Sequence, residues 1–284
     1  EYLFLGFRFP GAATKDAQML NLLGSILTNG SAGLIDLNLL KSQKLLSAGA
    51  FPYVLKDYSM LILQGNPAQG QTLEEVKVLL LDQLEKLRKG DFSEDLITSI
   101  VNNERKAQIS RNVNYSSRAD DLLENFTSEQ DWANQLRNTD WLATVTKQDI
   151  IDFANKYLNN ENYVAIYKRQ GVDNTVIKGE KPTITPMRVN LQSSSPFLLA
   201  VNAMPEDAIQ PIWVDYDKDI QKEKIKGLNV LAVENKDNEL FSLIYRYNIG
   251  KWNNKMLGLA ANYIEYLGTS SKSSEEFSKQ FYKL

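Results

Sequence analysis

The chain of 284 residues contains no histidine and no cysteine. Each absence excludes a kind of chemistry. Without histidine there is no Ser-His-Asp triad, no Cys-His pair and no imidazole base near neutral pH. Without either residue there is no ordinary zinc site, because zinc is held mainly by those two side chains. The lack of cysteine also excludes a disulfide-stapled scaffold, and it fits cytoplasm and cell envelope alike. Charge of neither sign dominates: 32 basic residues face 35 acidic ones, a formal net of −3. No block of like charge occurs, so the basic face of a nucleic-acid partner is not expected. No apolar run approaches the ~20 residues that span a bilayer. What remains is a globular composition, 43% apolar and 24% charged, long enough for two ordinary domains.

The first 171 residues alternate strand and helix signals. Tyr2 to Phe9 reads as a strand, and Pro10-Gly11 as a turn. Thr14 is placed to cap a helix through Leu27, with Ala17, Leu20, Leu23, Gly24 and Leu27 on one face. Asn29 to Gly33 ends it, a short helix over 34–40 follows, and strands are expected near 47–55 and 58–64. Thr72 and Glu75 have capping-box spacing and open a helix to Lys89, closed by Gly90. Ser93 starts another helix. Its pattern turns polar over 102–114 and resumes through Leu122, Leu123 and Phe126. Thr146 caps a helix that Asn159-Asn160 ends, and Tyr163 to Tyr167 reads as a buried strand.

Residues 172–222 hold five of the eight prolines, which marks an extended connector. Phe197, Leu198, Leu199, Ile212 and Trp213 within it are expected to lie against a domain surface. From residue 223 a second domain is expected to begin, with strands at 228–233 and 240–247 and a helix over about 254–267. A second helix opens by the Ser-x-x-Glu pattern at Ser273. Both ends read as cut: the chain opens directly on a strand and stops inside a helical pattern. A piece of a longer polypeptide is therefore expected. The fold class is α+β, a mostly antiparallel sheet backed by helices, plus the start of a second, similar domain.

Two motifs mimic ligand loops. Gly65 to Thr72 has the Gly-x4-Gly spacing of a phosphate loop between strand and helix, but Gln71 stands where the phosphate-binding lysine belongs. It reads as a connector ahead of a capped helix. Asp215 to Asp219 resembles the start of a calcium loop, yet Ile220 replaces the glycine of position six and Lys226 the bidentate glutamate of position twelve. Asp120, Asp121 and Glu124 lie on polar helix faces and read as surface charge. No catalytic, cofactor-binding or metal-binding residue is assigned in this chain.

The order of elements from Tyr2 to Tyr167 resembles the non-catalytic domain of insulinase/pitrilysin-type (inverzincin) zinc metallopeptidases. The likeness rests on FLGFRFPG at the first strand, LLGSIL in the first helix, NGSAGL after it, and AGAFPYVLKDYSMLIL over the strand pair. The closing QDIIDFANKYL and NYVAIY complete it. The resemblance implies a two-half peptidase in which 172–222 is the linker and 223–284 opens a degenerate second half. There the inverted motif His-x-x-Glu-His would fall on Leu259, Asn262 and Tyr263, shortly before Gly268-Thr269. None of the three can bind zinc or act as its base. The resemblance therefore implies a chamber-forming, substrate-holding portion of a zinc-dependent metalloendopeptidase, with peptide or unfolded polypeptide as substrate. Zinc and its ligands would sit in an upstream catalytic domain of the same chain. The alternative it leaves open is an inactive scaffold subunit of the same fold that pairs with a catalytic one.

Overall fold

The structure is a computed structural model. It describes residues 1–159, 162–175, 177, 179–187 and 189–284; Asn160, expected to end a helix, lies outside them. The chain divides into one unit of Glu1–Gln170 with Asp237–Leu284, and another of Gly171–Lys236. The first contains a sheet backed by helices, an α+β fold.

Strand β1 (Tyr2–Pro10) is central to the sheet. It pairs antiparallel with β3 (Tyr58–Asn66) on one side and β4 (Tyr163–Lys168) on the other, and β3 pairs with β2 (Ser47–Tyr53), giving the order β2-β3-β1-β4. Alternation along a strand sends neighbouring side chains to opposite faces. Leu3, Leu5, Phe7 and Phe9 of β1, with Leu61 and Leu63 of β3, point inward and are almost completely buried. Helices α1 (Lys15–Leu27), α2 (Leu73–Lys89) and α7 (Lys147–Tyr157) cover that face. Their apolar faces, including Leu20, Leu23, Leu80, Leu84 and Ile150, complete the core. Each such buried side chain contributes about 1.5–3 kcal/mol relative to exposure.

Local chemistry fixes the helix ends. Thr72 and Thr146 each accept from the backbone N–H three residues on, while Glu75 and Asp149 accept from the cap N–H groups in return. Gly90 closes α2 in the left-handed conformation. Between α1 and β2 the chain makes a π-helical turn, Asp36–Lys41, in place of the expected ordinary helix. Asp36 is buried, and its carboxylate accepts from the N–H of Asn29 at 2.8 Å and of Gly33 at 3.1 Å. A β-carbon on Gly33 would lie 2.6 Å from the Leu27 carbonyl oxygen, so the close approach needs glycine there. Gly11 is held likewise: its β-carbon would meet the Lys56 carbonyl oxygen at 2.0 Å.

Helix α3 (Glu94–Asn112) runs through the polar stretch that was expected to interrupt it. After it come α4 (Tyr115–Thr127) and two short helices absent from the expectation, α5 (Trp132–Leu136) and α6 (Asn138–Leu142). Asn114 and Asp131 cap α4 and α5 through their side chains. β4 is an edge strand rather than a buried one: Val164 is 66% exposed and Ile166 57%.

In the second unit, residues 196–202 form α8 (Pro196–Asn202), where only extended chain was expected; Ser195 caps it and Pro196 sits at its first position, where proline is tolerated. Phe197, Leu198, Leu199, Ile212 and Trp213 are exposed. β5 (Gln221–Ile225) and β6 (Leu228–Ala232) form a hairpin whose turn holds Lys226 and Gly227 at positive φ. Of the two strands expected here, 228–232 forms and pairs with β5, while residues 240–247 form no strand.

Residues 237–284, in the first unit, contain α9 (Met256–Tyr263) and α10 (Ser274–Lys283). Ser273 and Glu276 form a capping box on α10. This helix packs on α3. The Lys41 ammonium group donates to the Ser274 carbonyl at 3.1 Å and to the Ser278 hydroxyl, and Asn103 donates to the Tyr282 carbonyl at 2.7 Å. Burial pushes the Tyr282 phenol up to about 12.

Candidate functional site

The sheet face away from the core helices is the candidate site. Pairing registers place its side chains in rows. Phe51, Ile62, Gly6 and Val164 stand side by side across the four strands, and Gly49, Gln64, Phe4 and Ile166 form the next row. Tyr53, Met60 and Arg8 make a third. Four strands span about 15 Å at the usual spacing. Phe51, Tyr53, Met60, Val164 and Ile166 are substantially exposed. No acidic residue falls in these three rows. The Arg8 guanidinium lies 3.8 Å from the centroid of the Tyr58 ring, which holds its charge against the face. At the centre, a β-carbon on Gly6 would meet no atom within 4 Å, so the face is notched there by one side chain.

The free edge beside β4 is fastened from below. Arg169 donates to Glu74 at the start of α2 at 2.5 Å. That hydrogen bond holds the Glu74 carboxyl below its ordinary range. Lys77 of α2 sits 5.4 Å from the Tyr163 ring centroid, and its ammonium is raised chiefly by hydrogen bonding to Tyr163.

The motifs singled out in the sequence take other places. The 65–72 loop closes on itself: Ala68 N–H donates to the Gln71 side-chain oxygen, and the Gln71 amide donates to the Lys44 carbonyl. Gln71 thus ties the loop to the start of β2. In the 215–219 stretch the Asp215 carboxylate accepts from the N–H groups of Asp217 and Lys218, and Lys218 and Lys222 pair with Asp215 and Asp217. Backbone donation from Asp217 holds the Asp215 carboxyl low. Its carboxylates are committed to their own turn. Leu259 and Tyr263 are exposed on α9, and with Asn262 they offer zinc an alkyl chain, a phenol and a carboxamide, a set that does not fit the ion. Among the described residues no group of three or more metal-ligating side chains stands together, and no helix is long and apolar enough to cross a membrane.

The exposed rows were hidden in the sequence. YLFLGFRF is largely apolar at both phases of its alternation, and only Gly6 and Arg8 set the phase of Phe4 apart from that of Leu5. Gly6 was the available signal, because glycine inside a strand marks a place where something else approaches closely.

A sheet backed on one face by helices and open on the other, with a largely apolar floor, defines an α+β domain. Residues 1–104 match the family model described as the peptidase M16 inactive domain, and the domain built on them has that family's fold. The likeness drawn from FLGFRFPG and the following words is thus met by a match to the family's inactive domain.

Solved structures agree in fold. The chain is similar to a protease from Helicobacter pylori at 20% identity and a TM-score of 0.55, over 58% of this chain and 39% of that one. It is similar to the inactive peptidase domain of a candidate zinc protease from Bordetella parapertussis at 19% identity and a TM-score of 0.53, over 66% of this chain and 95% of that one. A candidate zinc protease from Bordetella pertussis Tohama I matches at 19% identity and a TM-score of 0.51, over 60% and 94%. The chain therefore spans well under half the length of the Helicobacter protein. A comparison with curated protein sequences found no match.

Proposed function

We propose that this chain is the non-catalytic, chamber-forming and substrate-holding portion of a zinc-dependent metalloendopeptidase. The observation that carries the reading is the open apolar face of the sheet, free of acid and notched at Gly6, on a domain with the fold of an M16 inactive domain. Such a floor receives the apolar side chains of an extended polypeptide without demanding a particular sequence. In this reading 172–222 links two halves and 223–284 opens a degenerate second half. An upstream domain of the same polypeptide supplies the zinc ligands and the glutamate base, since this chain has no histidine to bind the ion.

The test is peptidase activity of the full-length protein beside this fragment, with zinc and with chelator. Chelator-sensitive cleavage of unstructured peptides by the full-length protein alone supports the reading. Activity in neither moves the chain to a scaffold that pairs with a catalytic subunit. A second measurement addresses the face itself. In the full-length protein Ile62→Lys places a charge on the floor without touching the core, and the expected result is a raised KM for apolar peptides with little change in kcat. An unchanged KM removes the sheet face from substrate binding.

A further inference from the structure

The open sheet face carries one group that an apolar floor does not need. Arg8 is exposed there, and its guanidinium lies over the ring of Tyr58, 3.8 Å from the centroid. Arg88, Arg105, Arg111 and Arg169 each meet a carboxylate within 3.3 Å. Arg8 meets none among the described residues; the ring is the one partner its side chain has there. A guanidinium offers five N–H donors and no acceptor. Stacking on an aromatic face holds the group in place without consuming those donors. The three central rows of the face hold no carboxylate to answer it.

Alternation along β1 puts this group beside the notch. Phe4, Gly6 and Arg8 share the open face, between the buried Leu5 and Phe7, at steps of about 6.6 Å. An extended polypeptide laid along β1 has the same repeat. A side chain seated over Gly6 therefore brings the residue two positions away over Arg8 on one side, and over Phe4 on the other. The Phe4 side is aromatic, with the Tyr2 ring 4.9 Å away between centroids. Lys168, a second cation on this face, stands opposite Tyr2. It lies six residues along the strands from Arg8, about 20 Å away, too far to share one small anion.

We propose that Arg8 makes the sheet face selective for a carboxylate, borne by an extended peptide whose apolar side chain occupies the Gly6 notch. The guanidinium would hold the carboxylate by two parallel hydrogen bonds while Tyr58 backs it. The inference rests on the reading of this face as a substrate floor. The carboxylate comes either from an aspartate or glutamate side chain or from the C-terminus of the peptide.

The test titrates the whole 284-residue chain with three peptides and follows amide NMR. The first, blocked at both ends, has a phenylalanine with an aspartate two residues to either side. Its twin has asparagine at both places. The third has neutral side chains and ends in a free carboxylate two residues after the phenylalanine. Saturable shifts are expected in β1, β3 and β4. At least one of the two acidic peptides is expected to bind about fivefold more tightly than the twin, the effect of one partly exposed bidentate ion pair. Which one does so names the source of the carboxylate. Arg8→Gln, at an exposed position, is expected to bind all three alike with its circular dichroism spectrum kept. Equal binding of the three by the parent, or a preference that persists in Arg8→Gln, overturns the proposal. Gly6→Val fills the notch and is expected to weaken all three peptides, the twin included; no effect overturns the pairing of notch and Arg8. If the preference is absent but Gly6→Val weakens the twin, the floor stands and only the carboxylate falls. If no peptide binds saturably, the floor falls with it.

Discussion

At the scale of the residue, single contacts decide whether the chain can take its path. Asp36 is the clearest case, a buried carboxylate answering two backbone N–H groups of the NGSAGL turn. Asp36→Ala leaves both donors without their partner, and the expected loss is about 1–3 kcal/mol in a urea melt. A melt within experimental error of the parent would mean that water replaces the carboxylate. Gly11→Ala places a β-carbon on a backbone oxygen; its midpoint is expected to fall by about 1–3 kcal/mol, the usual cost of overpacking. Neither role was legible in the sequence. Asn29 to Gly33 announced a helix end, and Pro10-Gly11 a turn, because asparagine, glycine and proline have local preferences. That Asp36 would turn back onto Asn29 depends on a π-helical turn, whose extra residue no local pattern announces.

At the scale of the element, capping signals were the most reliable guide. Thr72, Thr146 and Ser273 all cap where Thr-x-x-Glu, Thr-x-x-Asp and Ser-x-x-Glu placed them, since a capping box needs only four consecutive residues. Thr146→Ala is expected to cost about 1 kcal/mol. The Thr146 hydroxyl and backbone N–H hold the Asp149 carboxyl below its ordinary value. A depressed carboxylate stabilises the fold above its unfolded pKa and loses that contribution as pH falls through the folded one. The difference between Thr146→Ala and parent is therefore expected to be full at pH 7 and to shrink below about pH 4. A difference independent of pH would assign the cap to the hydroxyl alone. Elements that depend on distant partners were less legible. β4 read as buried because YVAIY is apolar throughout, although only its inward residues face the helices. Residues 240–247 have strand composition but no strand beside them. α10 is held by Lys41 and Asn103, more than 170 residues away in sequence. Tyr282→Ala is expected to raise hydrogen exchange in 274–283 while that of α2 stays unchanged; equal protection in the variant would mean that the backbone contacts suffice.

At the scale of the molecule, the α+β class and the helix-backed antiparallel sheet were readable because strand and helix signals alternate through the first 171 residues. The two faces of the sheet were barely distinguishable, since both are largely apolar, and burial separates them. The same topology sets an order of events in time. Of the four strands of this sheet β1 is made first and ends as an inner strand, yet its partners arrive far apart: β3 after about fifty residues, β4 only after about one hundred and fifty. Through most of synthesis one side of β1 therefore waits with unpaired N–H and C=O groups, the state in which strands pair with the wrong neighbour. Closure by β4 is a long-range step, slow compared with formation of the helices that precede it. A nascent chain halted before Tyr163 is thus expected to be the species that holdase chaperones retain, and release is expected once NYVAIY emerges.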